Sequence, residues 1–258
     1  YDTINDFAPI AGIARSEFLL VVHPSLPVNS VRDLITLAKK NPGKLNYASS
    51  STGGPTHLGA ALFELLADVK MQQVPYKGGG PAMADLMARE QPDAVFHLAG
   101  LAFVLDAGLF PERGLAVNVG SALRVLTAVK SYREMTGGNP SVVMVGSAEQ
   151  YGRYDAECMP LSEEDVCRPR NTYAATKVAQ EVFALEAHRS TGLRVICTRS
   201  FNHSGGGQST RFLLPAVVER VRAIQSNRNE ALHVGNLDTV RDFSHVQDVA
   251  RAYIALAE

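Results

Sequence analysis

Tyr173 and Lys177 stand four residues apart in Tyr173-Ala-Ala-Thr-Lys177. In a helix that spacing puts the phenol and the ammonium on one face. An ammonium beside a phenol stabilises the phenolate and lowers its pKa. Tyr173 is then a candidate general acid or base near neutral pH. Alone, such a pair is more often an ordinary surface pair. A second group changes the weighing. The apolar run at 142–146 ends in Ser147-Ala148-Glu149-Gln150, placing a hydroxyl at a strand's C-terminal end, where open α/β sheets hold ligands. Ser147 lies 26 residues (173 − 147) before Tyr173, enough for one loop to return to the same place. A third group is the loop at 49–56, with Ser50, Thr52, Gly53, Gly54 and Thr56 ahead of an apolar helix. Its backbone N–H groups and the helix dipole suit an anion; read alone it is a flexible connector.

The elements that must hold these groups read as an alternation. Apolar runs at 18–22, 45–49, 71–76, 94–99, 142–146 and 193–198 read as strands. Helices are predicted at 31–40, 56–68, from the Gly78–Pro81 break to about 90, and at 118–130, 173–189 and 211–224, the last with Pro215 in an early turn. Ser30 and Asp33 form a capping box for the first helix, whose apolar face is Val31, Leu34, Leu37 and Ala38. Leu58, Leu62 and Leu65 share a face of the second, and Ser244 with Gln247 marks the start of a final helix. Alternating strands and helices predict an α/β fold with a parallel, doubly wound sheet.

The chain has 258 residues, one large domain or two small ones at about 150 residues per domain. Lys and Arg number 25 against 26 Asp and Glu. That balance argues against a nucleic-acid partner, which calls for a basic excess. The most apolar stretch, 94–110, is broken by His97 and Asp106 and is too short and polar to cross a membrane, so no membrane insertion is expected. The opening Tyr-Asp-Thr-Ile-Asn-Asp lacks the apolar core of a signal peptide. Three unpatterned cysteines without a Cys-x-x-Cys argue against a disulfide scaffold or zinc, and seven scattered histidines predict no metal site.

Together Ser147, Tyr173 and Lys177 resemble the catalytic triad of the short-chain dehydrogenases/reductases, in their extended, nucleotide-sugar branch. Further segments follow in that family's order. Pro92-Asp-Ala-Val-Phe-His-Leu-Ala-Gly100 is similar to its fourth strand, whose end (Leu98, Ala99, Gly100) lines the cofactor. Asn118-Val-Gly-Ser121 resembles its N-V-x-G-T helix. Thr198-Arg-Ser-Phe-Asn-His203 resembles the loop that meets the nicotinamide and the substrate, through Phe201 and Asn202. Val240-Arg-Asp-Phe-Ser-His-Val-Gln-Asp248 resembles the R-D-F segment, whose arginine, here Arg241, clamps a substrate diphosphate.

The resemblance covers about 91–258 and is nearest to GDP-mannose 4,6-dehydratases and GDP-4-keto-6-deoxymannose reductases, with Phe-Asn-His leaning toward the reductase. It implies a Rossmann-like fold, NAD or NADP as cofactor, a nucleotide-sugar substrate and hydride transfer. Tyr173 would exchange the substrate proton, Lys177 would lower the Tyr173 pKa and hold the nicotinamide ribose, and Ser147 would bond the reacting oxygen. Glu149 stands where a dehydratase needs a carboxylate, so elimination stays open. Ala148 disfavours dehydratases that use an Asp-Glu pair.

The first part differs. The family's opening G-x-x-G-x-x-G has one candidate, Gly53 to Gly59, with Thr56 at the central position, and no acid ends the following strand. Binding of NAD or NADP is therefore expected to be weak or absent. Instead, Val21-Val-His-Pro-Ser, Pro42-Gly-Lys-Leu-Asn-Tyr-Ala-Ser-Ser50 and Val74-Pro-Tyr-Lys-Gly78 resemble the tripartite tricarboxylate transporter receptors, periplasmic solute-binding proteins of two α/β lobes. In them the loop corresponding to Ser49–Thr56 receives a ligand carboxylate.

The chain thus reads as a fusion of two fragments. Residues 1–88 form a receptor-like α/β segment, and residues 89–258 an incomplete reductase-like segment without its glycine-rich start and C-terminal substrate lobe. Three functions follow: a nucleotide-sugar oxidoreductase, a carboxylate-binding protein, or a chimera without activity. The expected location is the cytoplasm, or the periplasm if the receptor-like part dominates; a homodimer is left open.

Overall fold

The computed structural model describes residues 20, 22, 26–28, 30–226, 238 and 240–258. The chain divides into two units, Tyr1–Ala82 and Met83–Glu258. The strand expected at 18–22 falls largely outside the described residues; Leu20 and Val22 belong to no helix or strand.

In the first unit, helix α1 (Val31–Lys40) starts where Ser30 Oγ accepts the N–H of Asp33 at 3.2 Å, and Asn41 closes it. Leu34 and Ala38 are buried. Val31, expected on the same face, is exposed, because it sits in the first turn, beyond the packed stripe. Strand β1 (Asn46–Ser49) pairs in parallel with β2 (Gln72–Pro75) across helix α2 (Pro55–Ala67), a βαβ unit. Pro55 occupies the first turn of α2, where no N–H is needed, and Asp68 ends the helix in a left-handed conformation (φ 52°). The expected packing face of α2 is corrected: Leu58, Leu62 and Leu65 are 59%, 55% and 77% exposed. Two strands of four residues give this stripe too little surface to bury against.

The second unit contains most of helix α3 (Gly79–Glu90), with Ala84 and Met87 buried. Strands β3 (Ala94–His97), β4 (Ser141–Val145) and β5 (Arg194–Thr198) form a parallel sheet in chain order. Val142 lies opposite Val95 and Val195. Central strand β4 is apolar on both faces and buried through Met144, as a parallel strand covered by helices must be. Helix α6 (Gly120–Thr136) packs Ala122, Val125, Leu126, Val129 and Tyr132 into the core beside Ala184 of helix α7 (Thr172–Thr191). A second parallel pair joins β6 (Asn202–Ser204) to β7 (Phe243–His245), with helices α8 (Leu213–Ser226) and α9 (Val246–Ala257) alongside in sequence.

The expected α/β class and parallel pairing are present. Among the described residues the strands form three separate sheets of two, three and two strands, not one doubly wound sheet. Two local expectations are corrected. Ser244 does not cap the last helix: the 243–245 backbone is drawn into the ladder with 202–204, and the His245 ring instead accepts the Gln247 N–H at 3.3 Å. The stretch before α6, to which the sequence pattern assigns no element between 99 and 118, holds two short helices, α4 (Val104–Leu109) and α5 (Pro111–Gly114), and a π-helical turn, Leu115–Val119. Strand β3 ends at His97, where its pairing with β4 stops, leaving Leu98, Ala99 and Gly100 irregular and exposed.

Candidate active site

Ser147 follows the C-terminal end of β4 and caps a 3-10 turn, Ala148–Tyr151. Its hydroxyl accepts the Glu149 N–H at 3.2 Å, and Gln150 Oε1 accepts the Ser147 N–H at 2.8 Å, a complete capping box. Asn171 starts α7 by accepting the Ala174 N–H at 2.8 Å, which places Tyr173 and Lys177 in its first two turns, both buried. The structure brings Ser147 and Tyr173 close enough for the Ser147 side chain to act on the phenol.

Electrostatics depart from the sequence expectation. Burial pushes the Tyr173 phenol above the ordinary tyrosine value, against the pull of the Ser147 side chain, and the Glu149 carboxylate adds to the rise. Lys177 does not lower it. The Lys177 ammonium donates to Val145 O at 2.7 Å and to Gln180 Oε1 at 3.0 Å, and burial holds its pKa down to about 8. The two residues share a helix face, but the ammonium is aimed at the end of β4. Tyr173 is therefore a protonated donor at neutral pH.

Asn118 lies in the π-helical turn, an irregularity that recurs at functional sites. Wholly buried, it bridges two segments: Oδ1 accepts the Leu101 N–H at 2.6 Å, and Nδ2 donates to Thr176 Oγ1 at 2.8 Å. Thr176 in turn donates to Tyr173 O at 2.7 Å. A Cβ on Gly100 would stand 3.2 Å from Asn118 Oδ1 and 3.4 Å from Lys177 Nζ, so Gly100 keeps open a space beside the ammonium.

His97 completes this side. The Ser121 hydroxyl donates to Val117 O, so its contact with His97 at 2.9 Å must be an Nε2–H donated by the imidazole. Nδ1 is then a buried lone pair without a partner among the described residues. Burial, and secondarily the charge of Lys177, hold the His97 pKa near 4, so the ring is neutral.

The remaining candidates lie farther along the chain. Glu149 accepts from Asn171 Nδ2 at 3.1 Å and faces the Arg241 guanidinium at 3.9 Å. Arg241, read as a diphosphate clamp, is thus next to Glu149. Asn202 donates to Asp242 O at 3.1 Å, one residue beyond Arg241. Phe201 stacks on Tyr151, with ring centroids 6.4 Å apart. Sequence reasoning passed over Gln150 and Thr176. The Ser147-x-x-Gln150 spacing is a capping-box signature and could have found the first; nothing local marks the second.

In the first unit the loop read as an anion site is occupied by its own contacts. Ser50 N–H donates to Thr56 Oγ1 at 3.0 Å, the two hydroxyls lie 2.9 Å apart, and Gly53 N–H donates to His57 Nδ1 at 2.9 Å. A Cβ on Gly54 would collide with the Ser51 side chain, so no open cradle lies at that residue. Among the described residues no cluster of three His, Cys, Asp or Glu could hold a metal, and no helix is long and apolar enough to cross a membrane.

A family model for GDP-mannose 4,6 dehydratase matches residues 80–258, and one for the tripartite tricarboxylate transporter family receptor matches residues 1–148. The chain belongs to two families, one in each part. The dehydratase-family part is 37% identical over 171 residues to a GDP-6-deoxy-D-mannose reductase of Pseudomonas aeruginosa, covering 65% of this chain and 54% of the reductase. The solved structure of RMD from Pseudomonas aeruginosa complexed with NADPH matches with a TM-score of 0.62 at 30% identity, over 83% of this chain and 74% of that one. The receptor-family part is 38% identical over 88 residues to a UPF0065 protein from the tcbD-tcbE intergenic region of a Pseudomonas species, strain P51, covering 34% of this chain and 26% of that protein. The chain thus spans about half the length of the reductase relative and about a quarter of the receptor-family one.

Proposed function

We propose that the dehydratase-family part, with its boundary near residue 88, carries the site of an NAD(P)-dependent nucleotide-sugar oxidoreductase working in the reducing direction, as in a GDP-4-keto-6-deoxymannose reductase. The observation that carries this reading is the buried Tyr173 phenol in the first turn of α7, close to Ser147 at the end of β4. Ketone reduction needs a proton donor at the carbonyl oxygen. A phenol that is protonated at neutral pH can give that proton, and Ser147 beside it can hold the carbonyl oxygen. Ser147 would orient the carbonyl oxygen toward it. Glu149 would remove a sugar proton only in the dehydratase alternative, and its position beside Arg241 and Asn171 favours a structural or substrate-facing role.

A nicotinamide cofactor, when bound, supplies the hydride. The residues present fit one end of it. Lys177 has a third N–H beyond the two donated to Val145 and Gln180, the Gly100 gap opens beside it, and the 98–100 segment and Phe201 flank that side in the family pattern. The diphosphate end is less well served. No G-x-x-G-x-x-G stands in the sequence to seat it, which supports weak cofactor binding. Arg241 and Asn202 would meet the nucleotide-sugar diphosphate.

Parallel titrations with NADPH, NADH and citrate, followed by turnover of GDP-4-keto-6-deoxymannose, test the reading. Nicotinamide binding with sugar reduction that Tyr173→Phe abolishes is the expected result. Citrate binding without nicotinamide binding would move the assignment to the receptor-family part, and neither would leave a chain without either activity.

A further inference from the structure

Strand β4 runs out one residue before the site, and what replaces its ladder is a side chain. Gly146 N–H donates to Thr198 O and Ala148 N–H to Ser200 O, each at 2.9 Å, so the pairing toward β5 continues past the strand end. Alternation along a strand turns the intervening Ser147 N–H to the other side, where β3 has already ended at His97. Gln150 Oε1 takes that N–H at 2.8 Å. Gln150 is wholly buried and its other end is also spent: Nε2 donates to Glu181 Oε2 at 2.6 Å. Only one orientation of the amide satisfies both contacts.

Glu181 is held in turn by Arg199, whose NH2 reaches Oε1 at 2.6 Å and whose Nε reaches Oε2 at 3.0 Å. The pair is largely out of water, at 16% and 13% exposure. This two-point fork sets the carboxylate plane as well as its position. The Arg199 NH1 group donates to Glu163 O at 3.1 Å and Asp165 O at 3.4 Å, tying in the loop that leads to Asn171 and Tyr173. Gly146 is bound into the same design: a Cβ there would collide with Thr198 O and with Gln150 Oε1.

We propose that Gln150, Glu181 and Arg199 form a positioning chain that sets the direction of Ser147 toward Tyr173 while registering the 159–170 loop against the same carboxylate. The three act through Ser147 and touch no reacting atom. Their role in the reaction rests on the reductase reading; their hold on Ser147 does not.

Amide hydrogen exchange on the intact chain separates the two. In Gln150→Met the Ser147 amide should exchange about ten-fold faster, the factor that a lost hydrogen bond of ordinary strength represents. Gly146 and Ala148, held by backbone carbonyls, should keep their rates. Glu181→Gln, a milder change that leaves an acceptor for Gln150, should give the same selective pattern at about two- to five-fold. Unchanged Ser147 exchange, or equal acceleration at all three amides in Glu181→Gln, would overturn the proposal. Where the wild type reduces the sugar, both variants should lower kcat about five-fold or more with KM unchanged, as expected for lost orientation; a rise in KM at constant kcat counts against it. A wild type without turnover refutes the reductase reading alone, and the exchange pattern still decides this one.

Discussion

Lys177→Met should leave stability at neutral pH nearly unchanged and remove a pH dependence that the wild type carries. The structure buries an ammonium and leaves it with neutral partners, Val145 O and Gln180 Oε1. Desolvation brings its pKa from 10.5 to about 8, which corresponds to about 3 kcal/mol of unfavourable charge burial at pH 7. Methionine keeps the length and apolar stem but forfeits two hydrogen bonds from a charged donor, worth about 1.5 kcal/mol or more each. Val145 O retains the Gln180 Nε2 donor at 3.2 Å, whereas the buried Gln180 Oε1 loses its donor. At pH 7 the relief and the loss about offset each other, leaving variant and wild type within about 1 kcal/mol.

The pH dependence is the sharper measure. Below pH 8 the lysine is charged in both folded and unfolded chains, and the penalty is full. Between about 8 and 10.5 the folded chain has lost the proton while the unfolded chain still binds it, so wild-type stability rises with pH. By pH 10 the penalty should fall to about 1 kcal/mol, and the wild type should gain about 2 kcal/mol relative to the variant. Urea unfolding followed by far-UV circular dichroism at pH 7, 8.5 and 10 measures this, other titrating groups cancelling in the comparison. A stability difference that stays flat within about 0.5 kcal/mol over that range would refute the argument, since desolvation of the ammonium would then not be the controlling cost. A variant as stable as the wild type but without reductase activity would mark Lys177 as a residue kept for function and not for stability.

Other outcomes follow from the same contacts. Asn118→Ala strands the buried Leu101 N–H and removes the bridge to Thr176, and should lower the urea-derived stability by about 2–4 kcal/mol. Gly146→Ala should cost about 1–3 kcal/mol in the same assay, because its methyl group meets backbone as well as the Gln150 side chain. His97, held neutral at a pKa near 4, makes the wild type lose stability as pH falls from about 6.5 toward 4, where the unfolded chain takes up a proton that the folded chain refuses; His97→Gln should flatten that part of the profile. Arg241→Ala should weaken nucleotide-sugar binding about ten-fold in a calorimetric titration while leaving NADPH binding as it was, and unchanged sugar affinity would remove the diphosphate-clamp reading.

Much of the site was legible in the letters because its signals are local. The four-residue step from Tyr173 to Lys177, the apolar run that ends at Ser147 and the Ser30 cap depend only on helix and strand geometry, which the chain carries wherever it folds. The alternation of strands and helices likewise announced parallel pairing. What depended on distant residues was not legible. Ser244 looked like a cap until 243–245 was seen paired with 202–204, and the leucine face of α2 looked like core until the sheet beside it proved to be two short strands. The sign of the Tyr173 pKa was misread from spacing for the same reason: proximity to Lys177 was local information, whereas burial and the pull of Val145 O on the ammonium came from packing. The Glu181–Arg199 fork joins a helix to the end of the next strand, and its hold on Gln150 reaches back 31 residues. Local geometry sets which side chains share a face. Only the burial of nonlocal surfaces decides which faces meet, and with them the desolvation and hydrogen bonding that give each group its chemistry.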